Sequence, residues 1–134
     1  DLNTQYVLNF HMINKSILHS YHKEGFDEEE LYEAYKIFFG TLVSESRLKI
    51  INFLRFSRKN VSEIVRELKI DQTAVSHDLH RLKQCGFVSV EIDGRFRYYN
   101  LNKENIKPLM EIIEKHMKKY CIHILRGMKG GKNG

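Results

Sequence analysis

Apolar positions recur at helical spacing through most of the chain. Tyr6, Phe10, Ile13, Ile17 and Tyr21 step by four, three, four and four, which puts them on one face of a helix with His11, Lys15 and His22 opposite. Gly25 ends that helix. Asp27 is a candidate cap for the next one, where Glu28, Glu29 and Glu30 complement the positive end of the helix dipole. Leu31, Tyr35, Phe38, Phe39 and Leu42 form its stripe. Ser44 starts a third helix, with Leu48, Ile51 and Leu54 pointing one way and Ile50 and Phe53 flanking. The spacing then predicts a short helix over 61–68 presenting Ile64, Val65 and Leu68. After a break at Lys69 and Ile70, a further helix runs from an Asp71 cap to about Cys85.

In this last helix Val75, Leu79 and Leu82 fall on one side. Thr73, Ser76, His77, His80 and Gln84 fall on the other. Two short helices joined by a tight turn, the second with a polar outer face, describe a helix-turn-helix. Gly86 closes it, and the period then changes from helical to alternating. Residues 87–92 read as a strand, Asp93-Gly94 as a two-residue hairpin turn and residues 95–101 as the return strand, with Arg95 and Arg97 making a basic wing. A closing helix is expected to begin near Pro108, which suits a first helical position. Leu109, Ile112, Ile113, Met117, Tyr120, Ile124 and Leu125 carry its stripe to about residue 125. The fold class is therefore mostly α with a small β-hairpin: a winged helix-turn-helix with an extra N-terminal helix and a long C-terminal helix.

Charge sharpens this picture. The 134 residues carry a net charge of +5, and it is unevenly placed. Residues 1–60 hold 8 basic and 8 acidic side chains, whereas residues 61–134 hold 14 and 9, so the whole excess lies in the second part. From Lys115 to Lys132 there are six basic residues and no acidic one. Such asymmetry points to a polyanionic partner, chiefly nucleic acid, although a solvated helix face gives the same count. With 42% hydrophobic and 29% charged residues, wholesale disorder is excluded. Cys85 and Cys121, the two cysteines, make no disulfide framework and no C-x-x-C motif, and they suit a reducing cytoplasm. No apolar run is long enough to span a membrane, and no basic start with an apolar core marks a signal peptide.

A helix-turn-helix sets its second helix in the major groove of double-stranded DNA, where side chains near its start reach base edges. That start offers Gln72, Thr73, Ser76 and His77, with His80 on the same face and Ala74 leaving room. Gln pairs with adenine, Thr and Ser bond either way, and the Thr methyl can touch the thymine methyl. Arg95 and Arg97 would meet phosphates or enter the minor groove, positioning the module rather than reading sequence. A winged helix used purely for protein association stays open as the other reading. Catalysis has no support: the chain has no Gly-rich phosphate loop, metal-hydrolase motif or nucleophile elbow, and no cofactor is implied.

Residues 37–102 resemble the ArsR/SmtB family of winged-helix repressors. LVSESRLKIINFL is similar to the family's LADPTRLRIL helix, and VSEIVRELKIDQTAVSHDLHRLKQCGFV to its helix-turn-helix, including the VSHHL core at Val75-Ser76-His77-Asp78-Leu79. The hairpin VEIDGRFRYYNL is similar to its REGRxxYY wing. The resemblance implies a cytoplasmic homodimeric repressor on a palindromic operator, its dimer built from the helix at 27–39 and the C-terminal helix. Tyr35, Phe38, Phe39, Ile112, Ile113 and Tyr120 make stripes that want such a partner. The chain then divides into an N-terminal amphipathic helix at 1–24, a winged-helix DNA-binding and dimerisation domain at 25–126, and a flexible basic tail at 127–134. The N-terminal segment is expected to pack across the dimer.

Many members of the family are released from DNA by metal ions. One of their sites uses paired cysteines at the start of the first helix of the helix-turn-helix, where this chain has Asn60 and Ser62. The other falls on Lys103, Asn105, His116 and Lys119, of which only His116 suits a metal. No metal site is therefore assigned. His19 with His22, Cys121 with His123, and a Cys85–Cys121 pair stay open as non-standard metal or redox sites, and the effector is unassigned.

Overall fold

The computed structural model describes residues 15–133. Tyr6, Phe10, His11 and Ile13 lie outside them. By its contacts the chain divides into two compact units, residues 1–43 and 44–134, so the boundary expected at 24/25 falls inside the first unit.

The first unit holds α1 (Lys15–Lys23) and α2 (Glu28–Val43). Asp27 caps α2 as expected: its carboxylate accepts the Glu30 N–H at 2.8 Å, and the Glu30 side chain accepts the Asp27 N–H at 3.3 Å. This reciprocal box satisfies two backbone donors at once. Leu18 and Leu31 are buried where the two helices pack. Thr41 is buried too, and its hydroxyl donates to the Ile37 carbonyl one turn back at 2.7 Å.

The second unit is the winged helix. It comprises α3 (Glu45–Phe53), β1 (Lys59–Asn60), α4 (Val61–Leu68), α5 (Gln72–Gln84), β2 (Val88–Asp93), β3 (Phe96–Leu101), α6 (Ile106–His116), a π-helical turn (Met117–Cys121) and α7 (Ile122–Asn133). Ser44 caps α3, accepting the Arg47 N–H. Inside it lie Ile50, Ile51, Leu54, Ile64, Val75, Leu79, Leu82, Phe87, Val88, Leu101, Ile106 and Met110, all buried. Ile50, expected to flank, is fully buried, and Leu48, expected to point inward, is only half-buried. Neighbours on α4 and α5 cover the adjacent side of α3, which shifts its buried face by one position.

The sheet has three antiparallel strands in the order β1-β3-β2. β1 was not visible as a pattern because two residues carry no period; Lys59 pairs with Tyr99 and Asn60 with Tyr98. Asp93 pairs with Phe96, so the two-residue turn is Gly94-Arg95 and not Asp93-Gly94. Gly94 has φ +64°, the left-handed value that a hairpin turn needs at its first position and that glycine takes without strain. The closing helix begins at Ile106, two residues before Pro108. The first four N–H groups of a helix have no partner inside it, so a proline third in line loses no hydrogen bond. Helix also continues through Gly127 to Asn133, a stretch expected to fray.

Candidate nucleic-acid interface

Local chemistry sets each turn of the helix-turn-helix. Asn60 opens α4 with a capping box, its side chain accepting the Glu63 N–H at 2.8 Å while Glu63 accepts the Asn60 N–H at 3.1 Å. α4 ends at Lys69, which has φ 55° and is the one described non-glycine residue with positive φ. That left-handed residue reverses the chain, and Asp71 then caps α5 by accepting the Ala74 N–H at 3.0 Å. At the far end Phe87 donates to the Leu82 carbonyl at 2.9 Å and Gly86 to the Lys83 carbonyl at 3.1 Å. These paired bonds need a left-handed residue, and Gly86 supplies it at φ +74°. Leu82 and Phe87, both fully buried, complete the motif by carrying the chain into β2.

α5 is rotated so that Val75, Asp78, Leu79 and Leu82 are buried. Asp78 has a role that the apolar stripe alone does not assign. It accepts from Ser46 Oγ at 2.6 Å and from Arg47 at 3.3 Å, joining the start of α3 to the middle of α5. The signal was present: Asp78 sits at the i+3 position of the 75, 79, 82 stripe, and a carboxylate on a buried stripe calls for a partner. With that face inward, Gln72, Thr73, Ser76, His77 and His80 are exposed and together line one open concavity. Gln84 is exposed one turn further on.

Arg95 and Arg97 are not among the residues lining that surface; they stand on the wing. Arg95 occupies the turn, its guanidinium 5.5 Å from the Phe96 ring centre. Arg97 pairs across the strands with Ile92. Cross-strand partners share a sheet face, so Arg97 lies with Ile92, Val90 and Tyr99, while Glu91, Asp93, Phe96 and Tyr98 lie on the other. Both carboxylates on that second face meet Arg58, 3.0 Å from Glu91 and 2.7 Å from Asp93, with its guanidinium 4.0 Å from the Tyr98 ring centre. Hydrogen bonds from Asn100 and from Arg58 hold the Glu91 carboxyl below its ordinary range. Arg58 is pushed upward by Asp93 and Glu91. Nothing in the order of the residues marked Arg58, which lies 33 positions before Glu91.

The positions that the resemblance relates to metal ligands are occupied in other ways. Asn60 is a cap, Asn105 precedes α6, and the His116 ring lies 4.6 Å from that of Tyr120, with Lys119 Nζ 5.4 Å from the same ring. Among the described residues no group of three or more His, Cys, Asp or Glu side chains could hold a metal ion, and Cys85 and Cys121, both half-buried, are not joined in a disulfide. No helix among the described residues is long and apolar enough to cross a membrane.

Residues 44–90, from the cap of α3 into β2, match the model of the bacterial regulatory protein, arsR family. An uncharacterised HTH-type transcriptional regulator of Methanocaldococcus jannaschii is 28% identical over 86 residues, covering 63% of this chain and 97% of that protein. A probable mercury resistance operon repressor of Streptomyces lividans is 32% identical over 73 residues, 54% of this chain and 58% of that one. The solution structure of the homodimeric winged helix-turn-helix DNA-binding domain of a possible ArsR-family transcriptional regulator from Mycobacterium bovis superposes with a TM-score of 0.65. It is 22% identical and covers 72% of this chain and 89% of its own, a likeness of fold. The matched segment spans the capped helix, the helix-turn-helix and the entry to the wing, so residues 44–90 are similar to the ArsR family of regulators within a chain that has the winged-helix fold.

Proposed function

We propose that the protein is a dimeric, sequence-specific DNA-binding transcriptional regulator, a repressor acting on a palindromic operator in the cytoplasm. The observation that carries this reading is the outer face of α5, where Gln72, Thr73, Ser76, His77 and His80 form one exposed polar surface on a helix locked in place from behind. In the proposed complex Gln72, Thr73, Ser76 and His77 read base edges in the major groove, and His80 contacts DNA from the same face. Arg95 and Arg97 grip the phosphate backbone. A dimer with a two-fold axis sets its two α5 helices one DNA turn apart, which accounts for the palindrome. The role is one of binding, with no catalytic step.

Fluorescence anisotropy with the DNA upstream of the protein's own gene tests this. Thr73→Ala or Ser76→Ala should change the preferred base pair, each at a loss of about 1–3 kcal/mol on the preferred site. Arg97→Ala should weaken binding to all sequences and flatten the salt dependence. A change of base preference on Arg97→Ala with the salt slope intact would reverse the assigned roles. Binding that ignores both sequence and salt would leave the protein-association reading in its place.

The relative from Streptomyces lividans is named for mercury resistance, which makes a metal effector worth adding to the same titration. One equivalent of zinc per subunit should leave the affinity unchanged, since Asn60 and Ser62 offer no thiolate. A tenfold loss, roughly 1.4 kcal/mol of coupling, would reveal a site built from other residues, with His19, His22, His116 and His123 the first to substitute.

A further inference from the structure

The wing tip carries two carboxylates and two arginines, and the strand pairing sorts them. Glu91 and Asp93 share one face of the hairpin, Arg97 lies on the other, and Arg95 sits in the turn. Among the described residues neither Arg95 nor Arg97 is ion-paired, whereas both carboxylates are taken by Arg58. The carboxylates stand two and four residues before Arg95. At about 3.3 Å per residue Asp93 stands about 7 Å and Glu91 about 13 Å along the strand from Arg95, distances comparable with the Debye length of roughly 10 Å. Left uncompensated, they would oppose the polyanion that the arginines attract.

Resting on the DNA-binding reading above, we propose that Arg58 is a positioning residue of the nucleic-acid interface, which cancels the negative charge of the wing and holds the hairpin so that Arg95 and Arg97 can meet phosphate. Its side chain is one-third exposed, and both terminal nitrogens are occupied. It therefore works through the wing and does not itself reach for DNA. Its planar guanidinium matters here. One nitrogen faces Glu91, the other faces Asp93, and the flat face lies over Tyr98, a combination that a lysine ammonium cannot reproduce. The Asn100 side chain donates to Glu91 at 3.2 Å from the neighbouring strand, which fixes that carboxylate toward Arg58.

The test is anisotropy across a salt series, on the full chain with its own upstream duplex, for the wild type, Arg58→Ala, Arg58→Lys, Glu91→Gln/Asp93→Asn and the triple variant Arg58→Ala/Glu91→Gln/Asp93→Asn. Arg58→Ala should bind about tenfold more weakly, by like-charge repulsion at the wing, and Arg58→Lys should fall between it and the wild type. The triple variant, which has lost the carboxylates as well, should recover most of that loss. Glu91→Gln/Asp93→Asn, with Arg58 in place, should bind at least as tightly as the wild type and with a steeper salt dependence. If Arg58→Ala binds like the wild type, or if the triple variant stays as weak as Arg58→Ala, charge cancellation at the wing is wrong. If Glu91→Gln/Asp93→Asn weakens binding, the triad acts only as a brace. A wild-type chain that binds no duplex overturns the DNA-binding reading itself, and this inference with it.

Discussion

Ser46 donates a 2.6 Å hydrogen bond to Asp78, from the first turn of α3 to the middle of α5. Arg47 adds a second bond to the other carboxylate oxygen at 3.3 Å. Asp78 is 8% exposed, so its charge is held almost entirely by these two partners. The pairing fixes the rotation of α5 about its own axis. Because Asp78 faces in, Ser76, His77 and His80 face out.

Replacing Asp78 by alanine leaves Ser46 and Arg47 without their carboxylate in a half-buried setting. The variant should be about 1–3 kcal/mol less stable, read as a lower urea midpoint at unchanged slope. Asp78→Asn, which keeps an acceptor for Ser46, should lose less. An Asp78→Ala chain as stable as the wild type would show that α5 is held by Val75, Leu79 and Leu82 alone.

Helix-level organisation is legible in the chain because caps and stripes are local. Asp27, Ser44 and Asp71 announce three helix starts, Gly86 announces an end, and the 75, 79, 82 spacing orients α5 correctly. Long-range pairs are what the order of residues hides. Arg58 meets Glu91 and Asp93, and Arg55 meets Glu114 from 59 positions away, and neither arginine bears a local mark of its partner. The hairpin was recognised and its turn misplaced by one residue, since Asp93-Gly94 and Gly94-Arg95 both satisfy the glycine requirement and only the register separates them. Lys69 was read as a break without its conformation, because lysine is an uncommon choice for a left-handed residue.

That residue carries a second prediction. A left-handed backbone costs a side-chain-bearing residue about 1 kcal/mol or more, and Lys69 sits there at the end of α4. Lys69→Gly should therefore raise the melting temperature, by up to about 1 kcal/mol of stability after the greater freedom of glycine in the unfolded chain is subtracted. Lys69→Val, β-branched and ill-suited to positive φ, should lower it. If both variants melt with the wild type, the turn between α4 and α5 does not require this conformation in solution.

The wing also has a pH signature. Asn100 and Arg58 hold the Glu91 carboxyl below the ordinary value of 4.5, so the folded state binds its proton less readily than the unfolded chain does. The stability this contributes is fully present above that ordinary value and is lost as pH falls through the lower, folded one. Melting temperatures of the wild type and Glu91→Gln should differ by a constant amount at neutral pH. The gap should close on acidification beginning below about pH 5. A gap that stays constant into strong acid would mean that Glu91 is not paired in solution.

The C-terminal helix supplies the last test. On α6, the π-helical turn and α7, the side chains of Ile112, Met117, Tyr120, Ile124, Leu125 and Met128 are exposed, a row too apolar for a solvated face. α7 has little stability of its own, because Gly127, Gly130 and Gly131 each weaken a helix by about 1 kcal/mol relative to alanine. A short helix of that composition persists when its apolar side is covered, and the second copy of a homodimer is the proposed cover. Ile124→Glu with Leu125→Glu should then give a monomer by light scattering, and full-palindrome binding should drop to the level of a half-site. In the wild type, hydrogen-exchange protection over residues 122–133 should rise with protein concentration. Protection that is independent of concentration, in a chain that stays dimeric when Ile124 and Leu125 are charged, would place the dimer contact elsewhere on the molecule.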